Sequence, residues 1–137
     1  MDRLHTNKGK LVLETDGLTE SIIGCAFAVS NGLKAGFLEK VYENALALEL
    51  RAAGHAVQQQ APASVFYRGE LVGDYRADLI VEDTILVELK AVRSLDPSHH
   101  AQCYNYLHAT NLEVCLLMNF GRPKLEFKRI LRTPSSV

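Results

Sequence analysis

Between Tyr75 and Ala91 the chain sets Asp78, Glu88 and Lys90 into an otherwise apolar ribbon. Two runs, Leu79–Val81 and Ile85–Val87, flank a polar Glu82-Asp83-Thr84 link, which is the pattern of a β-hairpin. Side chains alternate along a strand, so Glu88 and Lys90 share one face while Val87 and Leu89 take the other. A turn centred near Asp83 places Asp78 opposite Glu88, whereas a one-residue slip separates them. In the first register two carboxylates and one ammonium converge on one patch of sheet. Two such carboxylates repel, and desolvation adds to the cost. A divalent cation offsets both, and carboxylate oxygens suit Mg²⁺ or Mn²⁺. A nearby lysine can then help to activate water and steady charge developing on a phosphate. The same residues also suit a plainer role, with Glu88 and Lys90 a solvated ion pair and Asp78 a charge beside the turn.

The chain has 137 residues, 47% hydrophobic and 23% charged, which fits one soluble domain with a sizeable core. No apolar run approaches the ~20 residues of a membrane span. The opening MDRLHTNKGK has no apolar signal region, so a cytoplasmic location is expected. Cys25, Cys103 and Cys115 lack CxxC spacing and read as free thiols in a reducing compartment. A formal net charge of −1 gives no general attraction to nucleic acid; phosphate contacts would need local clusters. Lys124, Lys128, Arg129 and Arg132 near the C-terminus, and Arg76 and Arg93 around the hairpin, are the candidates. An edge strand protected by charge explains the C-terminal group equally well.

The elements that must position these groups follow from periodicity. Residues 1–17 are polar and read as an arm, 18–132 as the domain and 133–137 as a frayed tail. A helix is expected from about Leu18 to Asn31-Gly32, and a second from about Gly36 to Ala53. Phe37, Leu38, Val41, Ala45, Leu48 and Ala52 form the second helix's expected buried stripe. Val57–Tyr67 reads as one or two strands around Pro62, followed by Leu71–Val81 and Thr84–Ala91. Asp96-Pro97 starts a helix reaching about Ala109, ended by Thr110-Asn111. Leu112–Asn119 is nearly continuously apolar, a strand buried on both faces, and Leu125–Leu131 alternates as a last strand. The order implies an α/β (α+β) domain, a mixed central sheet flanked by helices.

Four motifs then line up. Gly36-Phe37-Leu38-Glu39-Lys40-Val41-Tyr42 is a GxxExxY string, Asp78 follows, Glu88-Leu89-Lys90 is an ExK triplet, and Gln102 to Tyr106 is QxxxY. In this order they resemble the GxxExxY protein family of the PD-(D/E)XK nuclease-like superfamily, with a RecB-like motif set covering about residues 18–131. The resemblance implies a restriction-endonuclease-like αβββαβ core. It also implies that Asp78 and Glu88 are metal ligands, with the Leu89 carbonyl a further ligand and Glu39 supporting the metal directly or through water. Lys90 would orient or activate the attacking water. Gln102 and Tyr106 would hold the site or the nucleic-acid strand. Gln102 and Tyr106, four apart, do share a helix face, and His99 could join them, whereas the adjacent His100 diverges by about 100°. Glu39 also suits the ordinary role of a first-turn acid favoured by the helix dipole, and Tyr106 that of a core residue.

The expected function is a Mg²⁺- or Mn²⁺-dependent nuclease acting on DNA in preference to RNA, alone, as a homodimer or within a larger nucleic-acid-processing assembly. The alternative is a non-catalytic nucleic-acid-binding or protein-interaction module that keeps the fold.

Overall fold

A computed structural model describes residues 3–132, with side chains from Thr15 onward. The expected tail, 133–137, lies outside the described residues. The elements are α1 (Arg3–Leu33), α2 (Glu39–Ala52), β1 (Val57–Tyr67), β2 (Glu70–Val81), β3 (Ile85–Lys90), α3 (Pro97–Thr110), β4 (Val114–Asn119) and β5 (Glu126–Leu131). The five strands form one sheet in sequence order. All neighbours are antiparallel except β3 and β4, which α3 joins as a crossover. The αβββαβ core is therefore present, with α1 and β5 added at either end.

Alternation divides the buried residues between two faces. Ile85, Val87 and Leu89 of β3 pack with Ile22 and Ala26 of α1 and Leu46 and Leu50 of α2. Leu86 packs on the other face with Cys103 and Leu107 of α3 and Cys115 and Leu117 of β4. Every residue of β4 is buried, as its unbroken apolar run requires when both sheet faces are covered. Pro62 interrupts nothing, because β1 is an edge strand where a missing N–H is tolerated. The β2–β3 register is the one that sets Asp78 against Glu88: Leu79 pairs with Val87, Ile80 with Leu86 and Val81 with Ile85. Glu82 and Asp83 both turn left-handed to close that hairpin, at φ 54° and 52°. Asp96 caps α3 by accepting the Ser98 amide at 2.7 Å, and Asn111, at φ 62°, ends the helix.

Three expectations are corrected. First, α1 begins at Arg3 rather than near Leu18, so the polar stretch read as a loose arm is helical. Second, α2 buries Tyr42, Glu43, Leu46, Ala47 and Leu50. Leu38 and Leu48, expected inside, are 81% and 71% exposed, and Phe37 and Val41 are exposed too. The helix carries apolar residues on two sides, and the sheet takes the side that also holds Glu43. Third, His99 faces its own helix start. Its Nδ1 accepts the Asp96 amide at 3.1 Å, completing a capping box.

Candidate active site

β2 and β3 pair only as far as Leu79 and Val87. At Asp78 the strands part, and two carboxylates fill the gap. The Asp78 amide donates to Glu88 Oε1 at 2.8 Å, and the Leu89 amide donates to Asp78 Oδ2 at 2.8 Å. Each acid thus satisfies a backbone amide that the interrupted ladder leaves without its usual partner. Glu88 is only 3% exposed. Burial raises the pKa of both acids, and for Glu88 the neighbouring Asp78 charge adds to it, so that Glu88 is pushed up to about 8.

The interruption extends to β1. Its ladder with β2 runs Gln59 to Leu79 and resumes at Ala61 to Ala77, missing Gln60 and Asp78. Gln60 sits at φ 53°, a conformation that costs a non-glycine residue energy and recurs at functional sites. Its Nε2 donates to Glu43 Oε1 at 2.8 Å and lies 3.4 Å from Asp78 Oδ1. Glu43, 3% exposed, also accepts from Gln59 Nε2 at 2.8 Å and Lys40 Nζ at 3.1 Å. The buried carboxylate of α2 is therefore Glu43. Glu39, one turn earlier, is exposed and accepts the Ala91 amide at 3.2 Å, just beyond β3. Both are close enough for their charges to raise the Asp78 pKa, and Glu39 also raises that of Glu88. Glu43 and Gln60 were not singled out by sequence. The available signal for Glu43 was an acid on the apolar side of a helix; Gln60 carried none.

Lys90 closes β3 and reaches α3. Its Nζ donates to Gln102 Oε1 at 2.7 Å, while Gln102 Nε2 donates to the Tyr106 hydroxyl at 3.3 Å. These two bonds fix which way the amide points. Burial, and then the charges of Glu88 and Asp78, raise the Tyr106 pKa, so the phenol stays neutral and keeps a proton to donate. The structure thus gathers Asp78, Glu88, Lys90, Gln102 and Tyr106 where β3 ends, with Glu39 at the margin. Leu89 points its side chain into the core.

The surroundings hold this end of the sheet in place. Tyr42, the tyrosine of the GxxExxY string, is fully buried and stacks on Phe120 at 4.9 Å. Its hydroxyl donates to the Lys34 carbonyl at 2.5 Å and accepts the Phe37 amide at 3.2 Å, tying down the loop that leads into α2. Asn119 Oδ1 accepts the amides of Val92 and Gly121, and its Nδ2 donates to the Val92 carbonyl. A Cβ on Gly121 would lie 2.4 Å from the Val92 oxygen, so only glycine lets this loop close on the segment after Lys90. Of the basic residues, Arg129 pairs with Asp16 at 3.0 Å and Arg132 with Glu113 at 2.6 Å, and Arg76 donates to the Gln60 carbonyl at 3.1 Å.

The donor set fits one hard cation sparingly. Asp78 and Glu88 each commit one oxygen to a backbone amide, leaving Asp78 Oδ1, which also faces the Gln60 amide, and Glu88 Oε2. No cluster of three or more His, Cys, Asp or Glu ligands occurs among the described residues. Two carboxylates suit Mg²⁺, which retains waters and shares its coordination with substrate phosphate.

Among solved structures, an alkaline exonuclease from Laribacter hongkongensis superposes with a TM-score of 0.51 at 18% sequence identity. The alignment covers 69% of this chain and 56% of the exonuclease, so this chain spans little more than half of that protein. No curated protein matches the sequence. The profile of the PD-(D/E)XK nuclease superfamily matches residues 16–130, which hold every side chain of the site just described, and the chain belongs to that superfamily.

Proposed function

We propose that residues 18–132 form a Mg²⁺- or Mn²⁺-dependent phosphodiesterase of the GxxExxY branch, working in the cytoplasm on DNA in preference to RNA. One observation carries the reading: a half-buried Asp78 and a buried Glu88, which repel when both are ionised, lie beside a lysine aimed by Gln102. Such a pair is costly without a cation. Asp78 and Glu88 would hold the cation, with the Leu89 carbonyl as a further ligand and Glu39 in support. When bound, it supplies a Lewis acid for the phosphate and lowers the pKa of a water. Lys90 orients the attacking water and offers positive charge where the phosphorane charge develops. Gln102 keeps the ammonium in place, and Tyr106 can donate its proton to a phosphate oxygen. No helix among the described residues is long and apolar enough to cross a membrane.

The test is cleavage of labelled single-stranded, duplex and branched DNA and of RNA with Mg²⁺, Mn²⁺ or EDTA. Metal-dependent cutting of DNA is expected, with free ends as the first arm because the structural neighbour is an exonuclease. Binding that is indifferent to metal, without cutting, would instead support a non-catalytic module, a role consistent with arginines already engaged by Asp16 and Glu113. We also assign the working form to a homodimer, since the exposed Leu38, Val41 and Leu48 leave an apolar side of α2 uncovered. A monomer mass by light scattering overturns that assignment.

A further inference from the structure

Two adjoining concavities of about 360 and 560 Å³ lie between the β1–β2 hairpin and α3, sharing Val65, Tyr75, Asn105 and Ala109. The first includes Gln102 and Tyr106, so it starts at the side chains that hold Lys90. Among the described residues no carboxylate lines either one. The outer wall is the end of the hairpin, where Phe66 and Tyr75 are 64% and 53% exposed and Tyr67, Leu71 and Val72 are exposed beside them. Aromatic and branched residues on a strand end usually pack against a core; these are exposed, and exposed apolar side chains at the mouth of a site mark a binding surface.

Tyr75 joins this patch to the site. Its ring centroid is 6.0 Å from that of Tyr106, tilted by 40°, extending the line from Lys90 through Gln102 and Tyr106 outward by one ring. Gly73 makes room for it: a Cβ there would lie 2.9 Å from the Tyr75 ring and 3.3 Å from Val65. The opposite wall offers Ser98, Asn105 and His108, polar groups that suit hydrogen bonding.

We infer that this groove is the track of an unpaired DNA strand leading into the site, with Tyr75 as the platform on which a base stacks. The inference rests on the phosphodiesterase reading and deepens it by naming the form of substrate. Every base has a π-face, and stacking on an exposed ring needs that face free of a duplex neighbour. Amide, hydroxyl and imidazole groups opposite suit base edges and sugar–phosphate oxygens. Arg68 and Arg76 on the hairpin are offset by Glu70 and Asp74. Stacking must therefore carry more of the affinity than counterion release, and binding should weaken only shallowly with salt.

The test reads binding without metal, so that nothing is cut: fluorescence anisotropy of a labelled twelve-nucleotide oligo-dT in EDTA. Tyr75→Ala should weaken binding about tenfold, while Tyr75→Phe, which keeps the ring, stays within about twofold. An abasic oligonucleotide of equal length should bind the unaltered protein as weakly as oligo-dT binds Tyr75→Ala. Because Tyr75 is half exposed, Tyr75→Ala should keep its far-ultraviolet circular dichroism. Equal affinity of Tyr75→Ala and the unaltered protein overturns the track. So does a Tyr75→Ala protein that changes only its mass by light scattering, which would assign the hairpin end to a second copy. A protein that binds in this way but never cuts keeps the track and loses the phosphodiesterase reading. One that cuts with Tyr75→Ala binding unchanged does the reverse.

Discussion

Replacing Lys90 with alanine is expected to slow DNA cleavage by about 10²- to 10⁴-fold, the range for losing a positioned proton-transfer or charge-stabilising group. The fold should survive. Lys90 is only partly buried, and the hydrogen bond that its side chain makes is to Gln102 Oε1. Losing that bond costs about 1 kcal/mol. Lys90→Arg separates charge from position: it keeps the cation but carries a planar fork that cannot present a single ammonium to Gln102, so it should recover only a small part of the rate. A folded Lys90→Ala protein that cuts at an undiminished rate would remove Lys90 from the chemistry. Gln102→Ala provides a graded comparison, since it leaves the charge and removes only what aims it. Its loss should be smaller than that of Lys90→Ala, and thermal melts of all three proteins check that the fold is unchanged.

The parts of this site that were legible in the sequence are those set by local geometry. A polar link between two apolar runs fixes the hairpin register, and that register puts Asp78 against Glu88. The i, i+4 spacing of Gln102 and Tyr106 fixes their common face, and Asp96-Pro97 fixes where that helix begins. What was not legible depends on partners far along the chain. Glu43 is buried because Gln59 and Gln60, from a strand after the helix, reach its carboxylate; nothing within α2 announces them. The choice between its two apolar sides follows from the same contact, which is why Leu38 and Leu48 read as core and lie outside. The left-handed Gln60 has no glycine or asparagine to signal it. His99 shares spacing with the site, but its nearest open amide belongs to Asp96, and local capping takes precedence.

The Asp78–Glu88 pair makes a second large effect measurable without any substrate. Glu88 is pushed up to about 8, first by burial and then by the Asp78 charge, against an ordinary value of 4.5. Between those two values the folded protein holds a proton that the unfolded chain has released. Stability must therefore fall as pH rises through that window, and this group adds no slope below it or above it. A change of this size amounts to several kcal/mol, so the melting temperature in EDTA should drop by more than about 5 °C from pH 5 to pH 9. Glu88→Gln keeps an oxygen to accept the Asp78 amide but has no proton to lose. Its melting temperature should fall much less over the window, the remaining slope coming from Asp78, whose pKa burial also raises, and above pH 8 it should exceed that of the unaltered protein. The difference between the two proteins isolates Glu88 from the groups that both share. Mg²⁺ or Mn²⁺ competes with the proton for the same oxygens. Either ion should therefore stabilise the unaltered protein more at pH 8 than at pH 6, and Glu88→Gln much less at both. A stability that rises with pH in EDTA, or a Glu88→Gln protein that keeps the full slope, would mean that the pair carries no such strain, and the electrostatic case for a cation between Asp78 and Glu88 would go with it.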